Sequence, residues 1–305
     1  MEIHFEIENR CLLHCRHCSS YSSREMNNMG YEVSDMTNLI KNFRNPIDIY
    51  LTGGEPLLNE NLVSIMKEII RVNSNHRIGL FTTGIRHDEN GRLCAITEEY
   101  ARELKDAGVT NCYLSIYSHK REEHEMITCL DSSFELTHEA ASNLIKAGII
   151  VNANVVVTKK NISNLEKIIT RLQEEGFSQI RFLKLVNHGL ASLNWDEFGV
   201  LEEEYINAIK RIFEKRSDYS VDITISGFPQ LVKCRPFKEA IKCQAGTKLL
   251  YVTFGGDVFP CACVKNNDKL FISKVSEYSV VMNFLEKQSE YNEHCLSCRG
   301  KNSGI

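Results

Sequence analysis

The chain has 305 residues, 43% of them apolar and 25% charged, and its formal net charge is −4. These values are typical of a soluble globular protein and give no broad electrostatic attraction to nucleic acid or an anionic membrane. Residues 1–10 are unlike a signal peptide, and no apolar run approaches the ~18 residues that span a bilayer. We therefore expect a cytoplasmic protein without membrane or nucleic-acid partners. In that reducing compartment its twelve cysteines are expected to be metal ligands or catalytic groups.

Strand-like segments rich in β-branched and aromatic residues alternate with amphipathic helices over the first two thirds of the chain. The strands are predicted at residues 4–9, 47–52, 77–83, 112–118, 150–158 and 179–186. Helices are predicted at 59–70 and 161–177, the second starting at a capping box of Ser163 and Glu166. The alternation predicts an α/β fold with a parallel sheet, and six units are too few for a closed eight-stranded barrel. We expect a partial (β/α)6 barrel over residues 1–218.

The pattern changes in the last third of the chain. Residues 249–261 predict a β-hairpin that turns at 255–257. Half of the cysteines lie in this part: Cys234, Cys243, Cys261, Cys263, Cys295 and Cys298. We predict that residues 219–305 form a small hairpin and helix domain held by metal, because so short a segment has little core of its own.

Three further cysteines, Cys11, Cys15 and Cys18, follow the first predicted strand at a Cys-x3-Cys-x2-Cys spacing. A structural zinc site needs four ligands, and His14 or His17 could supply the fourth. A disulfide is disfavoured by the expected compartment. An iron–sulfur cubane held by three thiolates leaves one iron open to a substrate or cofactor. The position in the first βα loop, where barrel active sites are built, favours the cubane.

Several motifs together resemble those of radical S-adenosylmethionine (SAM) enzymes. CLLHCRHC at 11–18 has that family's Cys-x3-Cys-x-Φ-Cys form, with His17 at the aromatic position. LTGGEP at 51–56 resembles the loop that receives the methionine amino group, and 115–135 resembles the family's fourth-strand loop. LSIYS at 114–118 and NANVVVTKKN at 152–161 resemble segments that contact the carboxylate and ribose. A lone Gly-Gly pair would indicate only a turn, so the order and spacing of the set carry the resemblance.

The resemblance implies that Cys11, Cys15 and Cys18 hold a [4Fe–4S] cluster whose open iron binds SAM. The residues it implies as cofactor contacts are His17, Gly53, Gly54, Glu55, Pro56, Thr83, Ser115 and Asn154. It also implies an external one-electron donor of the flavodoxin or ferredoxin type. SAM would be cleaved to methionine and a 5′-deoxyadenosyl radical, which abstracts a hydrogen from the substrate.

The tail pattern, Cys243-x12-Gly256-x4-Cys261 and then Cys295-x2-Cys298, suits a zinc site and a fully ligated [4Fe–4S] cluster equally well. It resembles the twitch domain, a shortened relative of the SPASM domain that carries one auxiliary cluster. The resemblance implies that Cys243, Cys261, Cys295 and Cys298 are its ligands. Cys234 and Cys263 are then surplus thiols: hydrogen-atom donors, alternative ligands, or partly buried thiols without chemistry.

Three hypotheses for the function follow. The first is an enzyme, such as a dehydrogenase or decarboxylase, that oxidises or otherwise modifies a small polar molecule such as a sugar, aminocyclitol or nucleoside. The auxiliary cluster would accept an electron in an oxidation, whereas a thiol that returned a hydrogen atom would give a redox-neutral epimerisation. The second is a maturase of a ribosomally made peptide, forming a thioether, a carbon–carbon crosslink or an epimer. The third is a non-catalytic iron–sulfur scaffold or sensor, which would leave the SAM motifs without purpose. Residues 187–198 are a candidate substrate segment through His188, Asn194 and Trp195, the alternative being a surface loop with one packed Trp.

Overall fold

The computed structural model describes residues 1–20, 30–227, 244–265 and 267–287. The strands in these ranges are β1 (Glu2–Glu8), β2 (Asp48–Gly53), β3 (Arg77–Thr82), β4 (Ile85–His87), β5 (Leu93–Ala95), β6 (Val109–Ser115), β7 (Ile150–Val157), β8 (Gln179–Lys184), β9 (Asp222–Ser226), β10 (Leu249–Val252), β11 (Asp257–Phe259) and β12 (Ser273–Lys274). The helices are α1 (Val33–Ile40), α2 (Leu62–Val72), α3 (Glu98–Asp106), α4 (Arg121–Thr128), α5 (Ser133–Lys146), α6 (Leu165–Glu174), α7 (Leu190–Leu193), α8 (Trp195–Phe198), α9 (Glu202–Glu214) and α10 (Tyr278–Lys287). None of the helices described is long and apolar enough to cross a membrane.

One large sheet organises the molecule. Its strand order is β12-β11-β10-β1-β2-β3-β6-β7-β8-β9, while β4 and β5 form a separate hairpin. Every pairing from β10 across to β9 is parallel, and the pairings β10–β11 and β11–β12 are antiparallel. Within the described residues the two outermost strands do not pair with each other, so the sheet is open. The predicted α/β fold with an open parallel sheet is confirmed.

The six predicted strands are present as β1, β2, β3, β6, β7 and β8, with two parallel strands in addition. One is β9, which lies beyond the predicted boundary at residue 218 and pairs with β8. The other is β10, the first strand of the predicted hairpin, which pairs in parallel with β1 from Glu2↔Leu249 to Phe5↔Val252. The tail hairpin therefore continues the barrel sheet.

The helix predicted at 161–177 is present as α6, but its predicted capping box is wrong. Asn164 is the N-cap residue, and no side chain caps the helix. The Glu166 carboxylate instead accepts from Lys215, the C-cap residue of α9, at 3.0 Å. Glu166 therefore pairs with the end of another helix and does not cap its own.

The two faces of the sheet differ in chemistry because side chains alternate along each strand. On β1, Ile3 and Phe5 are fully buried in the apolar core beneath the helices. The other face is concave, since contacts on it skip a strand. His4 of β1 packs edge-on against Phe81 of β3 at 4.8 Å, and the Tyr113 hydroxyl of β6 donates to Gln179 of β8 at 2.7 Å. The concave face is thus aromatic and polar, and its carboxyl end carries the candidate site.

Candidate active site

The loop after β1 contains Cys11, Cys15 and Cys18, and backbone hydrogen bonds fix its shape. The amides of His14 and Arg16 donate to the carbonyl oxygens at the end of α4, Thr128 and Ile127, each at 3.0 Å. The Cys18 amide donates to the Cys15 carbonyl at 2.9 Å. The end of α4, the helix that follows β6, therefore fixes the position of the cysteine loop.

Of the three cysteines, Cys11 is buried and Cys15 and Cys18 are half-buried. Burial raises the pKa of the Cys11 thiol to about 12, with the Glu55 carboxylate and Cys18 acting in the same direction. Burial, followed by the proximity of Cys11 and Cys18, raises the pKa of Cys15 well above its usual value. The thiols therefore lie close enough to oppose each other's ionisation.

This donor set suits an iron–sulfur cluster. Three neighbouring thiolates in a buried loop need positive charge beside them, and the irons of a cubane supply it. In a cubane each thiolate binds a separate iron, so the three sulfurs need not converge on one point. In the described ranges no three cysteine, histidine or acidic side chains converge on a single metal ion.

The predicted methionine-binding loop presses directly on the backbone that enters the cysteine loop. Gly53 has a φ of +150°, and a Cβ there would lie 2.0 Å from the Glu8 carbonyl oxygen. A Cβ on Gly54 would lie 2.1 Å from the Arg10 carbonyl oxygen. The Glu55 amide donates to that same oxygen at 2.7 Å. Only glycine therefore fits at positions 53 and 54. The backbone of these two residues is half-buried and lies beside the segment that leads into Cys11.

Glu55 is fully buried and uses its carboxylate inside the protein. Oε1 accepts from the Leu57 amide at 3.1 Å and the Thr82 hydroxyl at 2.5 Å. Oε2 accepts from the Thr83 amide at 2.7 Å and its hydroxyl at 2.6 Å. Burial raises the pKa of Glu55, and these four donors oppose the rise. The side chain thus ties the end of β2 to the end of β3, while Pro56 begins a buried turn behind it.

Two predicted cofactor contacts, Ser115 and Asn154, are cross-strand partners on β6 and β7. The Asn154 Oδ1 is buried and has no hydrogen-bond partner among the described residues. The sequence analysis missed Tyr117, whose buried side chain lies next to Cys15 and Ser115. The alternation Tyr113, Ser115, Tyr117 was the signal that could have found it.

His17 lies within the cysteine loop and is buried, and its ring meets Tyr117 edge-on at 4.5 Å. Burial lowers its pKa to about 4, so the ring is neutral. This environment suits the aromatic position that His17 occupies in the motif.

The candidate substrate segment packs against the cysteine loop. The side-chain amide nitrogen of Asn194 donates to the backbone carbonyl oxygens of Arg16 and Leu190, both at 3.0 Å. Trp195 packs against the main core and covers Gly199. His188 is half-buried at the start of the segment. Substrate contact by these three residues stays a prediction, and the structure adds a supporting role for Asn194.

In the tail, Cys261 is buried and Cys263 is half-buried in one apolar cluster with Phe259 and Val264. The other predicted tail residues, Cys234, Cys243, Cys295 and Cys298, lie outside the described residues. The auxiliary site and the roles of the surplus thiols therefore stay predictions.

Sequence reasoning also missed a polar row on the concave face. Arg181 of β8 is the cross-strand partner of both Asn154 and Thr224. Its guanidinium lies over the Tyr113 ring at 4.3 Å and donates to that hydroxyl at 2.8 Å. The Thr224 Oγ1, like the Asn154 Oδ1, is buried without a partner in the described residues. The row extends the predicted SAM contacts towards the far edge of the sheet.

Comparison with known families identifies the chemistry that this arrangement serves. The family model described as the radical SAM superfamily matches residues 5–172, which include the cysteine loop and the strands that carry the predicted SAM contacts. The chain belongs to the radical SAM superfamily. Membership implies a [4Fe–4S] cluster and SAM, and it makes this chain an enzyme of that superfamily.

Two curated relatives illustrate the range of radical SAM chemistry near this chain. The AdoMet-dependent heme synthase of Oleidesulfovibrio alaskensis is 25% identical over 98% of this chain and 82% of its own length. A probable GTP 3′,8-cyclase of Saccharolobus solfataricus is 28% identical over 76% of this chain and 72% of its own.

Solved structures confirm the fold. Streptococcus suis SuiB bound to S-adenosylmethionine superposes with a TM-score of 0.71 at 11% identity, over 96% of this radical SAM chain and 65% of SuiB. Native anSMEcpe with bound AdoMet gives 0.68 at 18% identity, over 98% and 84%. At these levels of sequence identity the likeness shows a shared fold and does not indicate which substrate this chain uses.

Proposed function

We propose that this radical SAM enzyme abstracts a hydrogen from a small polar molecule and oxidises it. The observation that carries the proposal is the presence, at one end of a parallel sheet, of three close thiols, a glycine loop and an Asn154 oxygen that has no partner in the described part of the chain. When bound, the cluster supplies the electron that cleaves SAM to methionine and a 5′-deoxyadenosyl radical.

The chain's own residues then have positioning roles. Cys11, Cys15 and Cys18 hold the cluster, with Tyr117 and His17 packed behind it. The backbone of Gly53 and Gly54 receives the methionine amino group, and Glu55 keeps that loop rigid. Ser115 and Asn154 orient the carboxylate and ribose.

Two observations favour a small polar substrate. The concave face has aromatic and hydrogen-bonding side chains, among them Tyr50, Asn111 and Arg181. Relatives at 25–28% identity carry the names heme synthase and GTP 3′,8-cyclase, both of which denote small-molecule chemistry. A peptide substrate is the second candidate, because SuiB bound to its precursor peptide SuiA shares the fold over 100% of this chain.

We further propose an auxiliary [4Fe–4S] cluster bound by Cys243, Cys261, Cys295 and Cys298. Support comes from the twitch-like spacing and from β10, which joins the tail to the barrel sheet beside β1. A cluster near that edge would accept the electron that the substrate loses. Cys263, in the same apolar cluster as Cys261, is the alternative ligand or hydrogen donor.

The test is anaerobic reconstitution, followed by counts of iron and sulfide and by an assay of 5′-deoxyadenosine after adding SAM and dithionite. Two cubanes give about eight irons per chain, and the Cys11/Cys15/Cys18→Ala variant should hold about four and form no 5′-deoxyadenosine. Cys94→Ala is the matched control, since that thiol lies on β5. Four irons with intact SAM cleavage would contradict the auxiliary cluster, and iron-free protein or no cleavage would contradict the whole proposal.

A further inference from the structure

A buried ion pair connects the tail to the first strand and to the cysteine loop. Lys265, two residues after Cys263, places its ammonium 2.5 Å from the Glu6 Oε1 of β1 and 2.8 Å from the Ser20 Oγ. The two charged side chains are only 9% and 11% exposed. Removing two charges from water is costly, so a pair this buried depends on the groups around it.

The surrounding contacts fix both partners in place. Glu6 also accepts from the Tyr251 hydroxyl of β10 at 2.5 Å and from the Phe254 amide at 2.9 Å. Ser20, which Lys265 holds through its hydroxyl, donates its backbone amide to the Cys18 Sγ at 3.4 Å. A continuous path therefore runs from the tail lysine through Ser20 to a predicted cluster ligand.

This path has a chemical consequence for the cluster at Cys11, Cys15 and Cys18. Reduction adds an electron to the cluster, and hydrogen bonds to its sulfurs and nearby positive charge favour the reduced form. Lys265 supplies the charge and fixes the residue that donates to Cys18. The Glu6 carboxylate carries the opposite charge and opposes this effect.

We propose that Lys265 is a positioning residue for the SAM-binding cluster and raises its reduction potential. A residue of the tail then governs how readily the barrel cluster accepts the electron that starts the reaction. The inference rests on the first cluster of the proposed function and needs neither the auxiliary cluster nor a particular substrate.

The experiment compares reconstituted holoenzyme with Lys265→Met, Lys265→Arg and Glu6→Gln, using Lys269→Met as the exposed tail control. Iron is counted first, and the reduced fraction of each cluster is then measured by electron paramagnetic resonance at fixed potentials. The signal that changes on adding SAM identifies the first cluster. For Lys265→Met we expect the ratio of reduced to oxidised first cluster to fall about tenfold, which is ~59 mV for one electron.

The direction in which each variant shifts the ratio of reduced to oxidised cluster distinguishes an effect of charge from an effect of lost packing. Glu6→Gln should shift the ratio upward, whereas damage to the fold would shift both variants the same way. Lys265→Arg and Lys269→Met should stay close to wild type. If Lys265→Met does not retain iron, Ser20→Ala keeps the ion pair and should still lower the ratio. An unchanged ratio in fully loaded variants overturns this inference alone, while wild type that binds no iron at these cysteines overturns the proposed function.

Discussion

Glu55 is a motif residue whose buried carboxylate ties the end of β2 to the end of β3. Each of its two oxygens accepts one backbone amide and one hydroxyl. In Glu55→Gln, whichever position takes the NH2 group faces an amide donor, so no orientation satisfies the site. An unsatisfied buried donor costs about 1–3 kcal/mol. We expect a lower melting temperature and weaker SAM binding by calorimetry. The exposed Glu60→Gln serves as control, and equal stability of the two variants would contradict the assignment.

His124 gives the fold a dependence on acid. It is 1% exposed, its Nδ1 accepts from the Tyr117 amide at 3.4 Å, and burial lowers its pKa to about 3. Below pH ~6.5 the unfolded chain takes up a proton that the folded chain refuses, so the free energy of unfolding falls by about 1.4 kcal/mol per pH unit.

Urea unfolding at pH 7 and 5.5 measures this effect. Wild type should lose about 1.4 kcal/mol more between the two pH values than His124→Asn. The Asn oxygen can still accept from Tyr117 but does not titrate. Equal losses in the two proteins would show that His124 is protonated in the fold.

At the scale of residues, spacing proposed candidate binding groups and missed residues that support them. The Cys-x3-Cys-x2-Cys triplet and the Gly-Gly pair are close in sequence and have few meanings, so the sequence alone suffices to propose them. Tyr117 and Lys265 act through contacts that exist only once distant segments meet. Lys265 and Glu6 are 259 positions apart in the chain. No local pattern connects them.

Among the elements, the segment with the short helices α7 and α8 clamps the cysteine loop. Glu197 of α8 forms an ion pair with Arg16 and accepts from Lys160 at 3.1 Å, and the Ala191 amide donates to the Cys18 carbonyl at 3.3 Å. A Cβ on Gly189 would lie 2.6 Å from that same carbonyl oxygen. This close fit makes the segment a structural support of the cysteine loop.

Asn194→Ala tests that clamp, because it removes the two backbone contacts of the amide and leaves the Arg16 carbonyl without that donor. If the lost contacts destabilise the closed cysteine loop by about 1.4 kcal/mol, the fraction of molecules with the loop open rises tenfold. We expect a chelator to strip iron from the first cluster about ten times faster than from wild type. Asn207→Ala, at an exposed site on α9, is the matched control. Identical rates of iron loss would assign Asn194 to the substrate alone.

Element prediction succeeded where hydrophobic patterning dominates and failed where tertiary pairing decides. The six predicted strands are rich in β-branched and aromatic residues, and all were found. The strand β9 is a five-residue segment, DITIS, with little apolar length of its own, and it forms because β8 offers an edge. The direction of β10 relative to β1 was likewise invisible in the sequence, since a hairpin motif specifies only its own two strands.

For the whole molecule, the pairing of β10 with β1 makes the tail hairpin part of the barrel core. Leu250 and Val252 are fully buried in the same apolar core as Ile3 and Phe5. Two separately folding domains would each unfold without disturbing the other. A shared sheet and core instead predict one cooperative transition.

Trp195, the one tryptophan in the chain, provides the measurement. It lies in α8, far along the sequence from the hairpin, so its fluorescence reports unfolding of the barrel. Leu250→Ala leaves a cavity under β10 and should cost about 2–5 kcal/mol. We expect the free energy of unfolding measured by Trp195 fluorescence to fall by this amount, and we expect a single unfolding transition. Phe271→Ala, at a tail position that is 44% exposed, should change it little. An unchanged Trp195 transition in Leu250→Ala would show that the tail folds independently of the barrel.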